Sequence, residues 1–241
     1  MAMQDEAVTY QADGLTLKSR LFFEPGSGKR PAVLVFPEIF GLGEHAIGRA
    51  KRLVGEGYVA LACDIHGDAK RYDDLQEAMG KLQILYADRN KIRARARAAM
   101  DLLTARPEVD AGKIAAIGHC FGGTMAIELA RSGADVKAVV GFHSGLSSGT
   151  PKTEPKAVRG KVLVCIGGDD AFIKPQERAD FEAEMRAGDV DWQMHLYGGV
   201  VHSFTDPEAG KRGMPEAMRY SASAEARSWA AMQELFAETL R

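Results

Sequence analysis

Lys113–Arg131 reads KIAAIGHCFGGTMAIELAR, and the change of character at its centre decides the fold. Lys113 to Ile117 is an apolar run of strand length, and a helical pattern begins near Phe121 or Gly122. Between them stands Gly118-His119-Cys120-Phe121-Gly122-Gly123, with glycines two before and two after Cys120. A strand that turns abruptly into a helix strains its central residue and crowds the residues two positions to either side, which must then be minimal. This is the pattern of a nucleophile elbow, here built on Cys120 in place of serine. The geometry lifts the sulfur clear of the sheet and sets it at a helix N-terminus, where the dipole favours developing negative charge. Cys63 and Cys165 fall within or at the end of apolar strands and read as small buried apolar residues.

Outward from this segment, short apolar runs alternate with longer helical patterns, the signature of a parallel sheet covered by helices. The chain opens with an antiparallel hairpin: Ala7 to Tyr10, an Asp13-Gly14 turn, and Leu15 to Phe23. Further strands are predicted at Pro31 to Phe36, Tyr58 to Cys63, Lys137 to Phe142, Lys161 to Ile166 and Asp191 to Tyr197, making eight with Lys113 to Ile117. Helices are predicted at about Glu44 to Glu56, Asp73 to Tyr86, Asn90 to Ala105 and Pro175 to Arg186. A final helix carries Trp229, Met232, Leu235, Phe236 and Leu240 on one face. Ser144 to Pro155 reads as a surface loop. With no repeat, linker or low-complexity stretch, residues 1–241 are expected to form a single domain.

The chain has 241 residues, 31 basic and 33 acidic, and 46% of them are apolar. A formal net charge of −2 argues against nucleic acid as a partner. No apolar run reaches membrane-spanning length, and the N-terminal residues lack an export signal, so a cytoplasmic protein is expected. Three scattered cysteines suit neither a disulfide framework nor a zinc site, and no metal or cofactor is expected. Lys91, Arg93, Arg95 and Arg97 read as a solvated helix surface.

A cysteine nucleophile needs a base and a group to orient that base, which in an elbow of this kind follow in the order nucleophile, acid, histidine. After the strand ending at Ile166 comes Gly167-Gly168-Asp169-Asp170, and after the strand ending at Tyr197 comes a loop containing His202-Ser203-Phe204. Cys120, an aspartate of the first loop and His202 therefore stand in the required order. Among the other histidines, His195 reads as a packed or edge residue, His45 and His66 as surface residues, and His119 as pointing away from the nucleophile. His143, Phe40 and Phe204 are candidate pocket residues.

With these segments and Pro37-Glu38-Ile39-Phe40-Gly41, the sequence resembles the dienelactone hydrolase family of α/β-hydrolases. The resemblance implies an α/β-hydrolase fold: a three-layer αβα sandwich with a mostly parallel eight-stranded sheet and an antiparallel N-terminal hairpin. It also implies Cys120 as nucleophile, His202 as base, Asp170 in preference to Asp169 as the orienting acid, and Glu38 as the partner of the resting thiol. Backbone N–H groups of Ile39 and Phe121 would form the oxyanion hole. Better-known members carry an arginine four residues after the histidine, where it binds a substrate carboxylate; here that position is Asp206, which would repel one. Arg71, Lys70 or Lys174 would have to replace it.

The expected activity is cofactor-free cleavage of a lactone or small carboxylic ester through a thioester intermediate, by a monomer or weak homo-oligomer. Three other readings stand beside it: a carboxylesterase or thioesterase of other specificity, a thiol redox sensor using Cys120, and an inactive binding protein on the same fold.

Overall fold

A computed structural model describes residues 2–26, 28–149 and 156–241. The hairpin forms from β1 (Gln4–Ala12) and β2 (Leu15–Phe23), in register from Gln4 opposite Phe23 to Ala12 opposite Leu15. Asp13 and Gly14 both take left-handed backbone, φ 50 and 71, as a two-residue hairpin turn requires. The remaining strands are β3 (Arg30–Phe36), β4 (Val59–Ala62), β5 (Val109–His119), β6 (Ala138–Phe142), β7 (Lys161–Gly167) and β8 (Trp192–Tyr197). All eight join one sheet in the order β1-β2-β4-β3-β5-β6-β7-β8, and the run from β4 to β8 is parallel.

The sheet is covered on both faces because its central strands are apolar on both. Leu34, Phe36, Ala116, Val139 and Val164 join the core beneath α2 (Leu75–Ala87), α3 (Arg89–Thr104), α4 (Phe121–Arg131) and α5 (Pro175–Ala187). The alternate residues Val33, Val35, Ala115, Ile117, Val140 and Leu163 pack under α1 (Glu44–Gly55) and α6 (Ala222–Thr239). This strict alternation gives the predicted three-layer α/β-hydrolase sandwich. The apolar face assigned to the last helix is buried: Trp229, Met232, Leu235, Phe236 and Leu240 are all at most 4% exposed.

Element bounds move by a few residues, and the largest change is β5, which begins at Val109 where its hydrogen bonding to Arg30 starts. Of the predicted Ser144 to Pro155 loop, 144–149 has no regular structure and 150–155 lies outside the described residues. The basic run on α3 departs from its solvated reading. Steps of two residues generate two i,i+4 pairs, each on its own face. Lys91 and Arg95 both reach Asp13 in the hairpin turn, at 3.1 and 2.6 Å. Arg93 meets the fully buried Glu128 at 2.8 Å, and Arg97 reaches the Ser132 carbonyl at 3.0 Å. The run fastens α3 to the hairpin and to α4.

The strand order reverses at β3: the chain leaves it towards β4 and then crosses to β5 on its other side. Loops after β3 and β5 therefore diverge, opening a crevice at the carboxyl edge of the sheet.

Candidate active site

β5 ends at His119 and α4 begins at Phe121, so Cys120 makes the turn alone, with φ 55 and ψ −122. The glycines around it have a direct steric cause. A Cβ on Gly118 would lie 2.0 Å from the Gly122 carbonyl oxygen, and one on Gly122 would lie 2.2 Å from that of Phe36. One on Gly123 would fall 1.7 Å from Ser144 Oγ.

The loops after β7 and β8 bring Asp170 and His202 to the same edge. Asp170 Oδ1 accepts the Phe172 N–H at 2.9 Å, and Oδ2 accepts His202 Nδ1–H at 2.7 Å. Asp169 is exposed. The backbone of His202 is held by Ala217 and Arg219, each at 3.1 Å. With Nδ1 committed to Asp170, Nε2 remains for Cys120, the other hydrogen-bonding partner of the ring. Burial opposes a charged imidazole here, but Cys120 and Asp170 outweigh it and push His202 up to about 10. The arrangement can hold an imidazolium against a sulfur and deliver a proton from it.

Behind this ring lies a histidine network the sequence did not suggest. His143 accepts the Cys120 N–H on Nδ1 at 3.1 Å, so its proton sits on Nε2, facing Thr205 Oγ1 at 2.8 Å. Thr205 Oγ1 also meets His119 Nδ1 at 3.0 Å. Burial, and then the neighbouring His202, hold His143 well below the usual imidazole range. His143 is fully buried, in edge contact with His202, and its left-handed backbone (φ 43) turns it beneath the elbow rather than into the pocket wall. Phe204 is likewise fully buried, between His143 and Tyr197. Both were candidate pocket residues; of the three, Phe40 alone borders the pocket.

The pocket beside Cys120 and His202 encloses about 610 Å³. Ile39 and Phe121 line it. As the first residue of α4, Phe121 carries one of the N–H groups without an intrahelical acceptor. His66 Nε2 donates to the Ile39 carbonyl at 2.6 Å and so fixes that loop. His45 packs against His119 and meets the Thr205 carbonyl at 3.1 Å. Neither is the surface residue expected, because both rings serve loop backbones at the sheet edge. One face of α2 supplies Leu75, Met79, Leu82 and Tyr86, and half-exposed Phe172 stands at the rim against His202.

Glu38 is not on the thiol, as the resemblance implied, but paired with Arg212, whose guanidinium also meets Asp206 at 2.7 Å and Ser203 Oγ at 3.1 Å. A guanidinium offers several donors in one plane, and here it takes both carboxylates. Burial disfavours its charge, but Glu38 and Asp206 more than offset this. Asp206 thus shares this guanidinium with Glu38. Arg212 and Arg89 are cations that line the pocket, whereas Lys70, Arg71 and Lys174 do not line it. Nothing in the sequence around Arg212, which ends a short 3₁₀ turn at Ala209–Arg212, marks it for this place. Trp229 is core, and Trp192 packs on Phe181 away from the pocket. Burial pushes the Cys165 thiol up to about 12 and that of Cys63 higher still.

A strand-to-helix elbow on a mostly parallel, doubly covered sheet, with an acid and a histidine on later loops, defines an α/β-hydrolase. The chain belongs to the dienelactone hydrolase family, which its residues 18–240 match, and is a hydrolase acting on ester bonds. It is similar over the full length of both chains, at 45% identity and a TM-score of 0.95, to a dienelactone hydrolase-like promiscuous phosphotriesterase from metagenomic libraries. A dienelactone hydrolase from Anabaena variabilis shares the fold, at 22% identity and a TM-score of 0.68 over 99% of both chains. A Bradyrhizobium protein named a probable 2-oxo-3-(5-oxofuran-2-ylidene)propanoate lactonase is 28% identical, over 85% of this chain and 86% of its own.

Proposed function

We propose that the chain cleaves a lactone or small carboxylic ester by covalent catalysis at Cys120. The observation that carries this reading is the 2.7 Å contact of His202 Nδ1 with Asp170, which orients the other ring nitrogen towards an elbow cysteine. The sulfur adds to the carbonyl carbon, and the resulting oxyanion is received by the N–H groups of Ile39 and Phe121. The intermediate collapses to a thioester as His202 Nε2–H protonates the departing alkoxide, which in a lactone stays tethered to the acyl group. Water then attacks the thioester, His202 takes its proton, and collapse returns the sulfur and a carboxylic acid. The names of the lactonase and phosphotriesterase relatives support a small ester or lactone with an apolar body, in keeping with the α2 face of the pocket.

Purified protein is expected to hydrolyse p-nitrophenyl acetate and an enol-lactone, and Cys120→Ala to lose at least about 10³-fold in kcat/KM with its melting temperature preserved. Wild-type turnover by the alanine variant would dismiss the assignment.

A further inference from the structure

The loop after β8 reaches the elbow at two points. One is the His202 ring, the partner of the Cys120 sulfur. The other starts from Thr205, three residues further along the chain, and arrives at the Cys120 main chain through His143. Cys120 holds φ 55 and ψ −122, a conformation that is costly for any residue but glycine and lasts only where its surroundings impose it. Its N–H is shared between the Phe142 carbonyl at 2.9 Å and His143 Nδ1 at 3.1 Å. The carbonyl accepts whatever the side chains do. The ring accepts only while Nδ1 carries no proton.

Thr205 keeps that nitrogen bare. Its Oγ1 lies 2.8 Å from His143 Nε2 and 3.0 Å from His119 Nδ1. With Nδ1 accepting from Cys120, His143 donates from Nε2, and the hydroxyl directs its own proton to His119. All three side chains are at most 1% exposed, so none can turn to bulk water for a substitute partner. The ordering leaves His119 Nε2 without a hydrogen-bond partner among the described residues. Thr205 is itself fixed from behind: Arg49 of α1 donates to its carbonyl at 2.6 Å and is anchored on Glu225 of α6 at 2.5 Å. Two histidines whose rings lie 4.9 Å apart are thus treated oppositely. His202 has a carboxylate for a partner and is raised; His143 has a hydroxyl and is held neutral.

We propose that Thr205 is a positioning residue for the nucleophile and acts through His143. Its hydroxyl accepts the His143 Nε2–H, which keeps the Nδ1 lone pair on the Cys120 N–H and the sulfur in line with His202. Without that acceptor the ring can carry its proton on Nδ1, where donor would meet donor at the elbow. The inference rests on the reading of Cys120 as nucleophile and adds to it a residue that does not line the pocket.

Thr205→Val removes the hydroxyl at nearly constant volume, and Thr205→Ser keeps it. A nucleophile displaced by ~1 Å loses about 10²-fold, so Thr205→Val should fall by about 10- to 100-fold in kcat/KM for p-nitrophenyl acetate. Thr205→Ser should recover most of that loss. His143→Asn separates positioning from packing, because an amide oxygen can accept the Cys120 N–H with no tautomer to set. In the His143→Asn background, Thr205→Val should cost less than about threefold more, whereas a threonine that merely stabilised its loop would cost the same in both backgrounds. Alkylation of Cys120 by iodoacetamide, followed by mass spectrometry, should slow in the same pattern and needs no ester. Ring-nitrogen NMR of histidine-labelled protein near neutral pH should show His143 as a single Nε2–H tautomer in the wild type and as a mixture in Thr205→Val. If no ester is cleaved, the catalytic reading fails while alkylation and tautomer still judge Thr205. If Thr205→Val does not fold, the wild-type tautomer decides. Turnover by Thr205→Val within about twofold of wild type, Thr205→Ser no better than Thr205→Val, equal losses in both His143 backgrounds, or a proton on His143 Nδ1 in the wild type would overturn the proposal.

Discussion

Asp170→Asn exposes the logic of the site because the two oxygens of Asp170 have different duties. Oδ1 accepts the Phe172 N–H at 2.9 Å and Oδ2 accepts from His202 Nδ1 at 2.7 Å. An asparagine has one acceptor and one donor at these places. If its oxygen keeps the Phe172 N–H, its NH₂ faces His202 and can be satisfied only by an Nδ1 lone pair. The ring proton must then sit on Nε2, and the imidazole can no longer accept a proton from the attacking thiol. Loss of the charge-assisted hydrogen bond alone corresponds to roughly 1.5–3 kcal/mol, or about 10- to 150-fold in rate. The inverted tautomer brings the expected fall in kcat/KM to about 10²–10⁴. p-Nitrophenyl acetate turnover measures it, with circular dichroism and melting temperature as controls on the fold. An asparagine variant within about threefold of wild type would refute the claim that Asp170 sets the tautomer of His202.

Three further outcomes follow from the packing and the charges. Gly118→Ala drives a methyl group into the Gly122–Gly123 peptide, the nearest atom being the Gly122 oxygen at 2.0 Å, so the elbow must distort. Overpacking of this kind costs ~1–3 kcal/mol and should lower the melting temperature by roughly 2–12 °C, with most ester turnover lost. Arg131→Ala leaves the fully buried Glu128 with Arg93 as its one directly bonded cation among the described residues, and should cost about 3–5 kcal/mol in urea unfolding. His202 is raised in the folded chain to about 10 from an ordinary 6.5, so it stabilises fully below pH 6.5 and loses that contribution as pH rises through 10. The stability difference between wild type and His202→Gln should accordingly shrink from pH 6 to pH 10; a difference that grew would contradict the sign.

The elbow was legible because part of its cause is local: the turn brings the Gly122–Gly123 peptide against Gly118 within the motif itself, although Gly122 is crowded by Phe36 from a distant strand. The sheet was legible because doubly covered strands such as β3 are apolar in an unbroken run, here from Pro31 to Phe36. His202 and Asp170 could be placed in order after their strands, although their 2.7 Å contact is a fact of the folded chain. What could not be read depends on contacts distant in sequence. Arg212 reaches Glu38 across 174 positions, which commits one oxygen of the glutamate to a guanidinium that also pairs with Asp206. The sequence gives the α3 cations no visible partner because neither Asp13 nor Glu128 is a sequence neighbour. His143 and Phe204 follow pocket-bearing strands but turn inward, the first through a left-handed φ that residue type alone does not announce.

The central claim is that acyl transfer passes through the sulfur of Cys120, and intact-protein and peptide mass spectrometry after rapid acid quench reads this directly. Mixed with excess p-nitrophenyl acetate, the wild-type chain should gain one acetyl mass on the peptide containing Cys120, and the adduct should decay at the turnover rate. Ester turnover with no adduct on that peptide, or with the acyl group on another residue, would contradict the account.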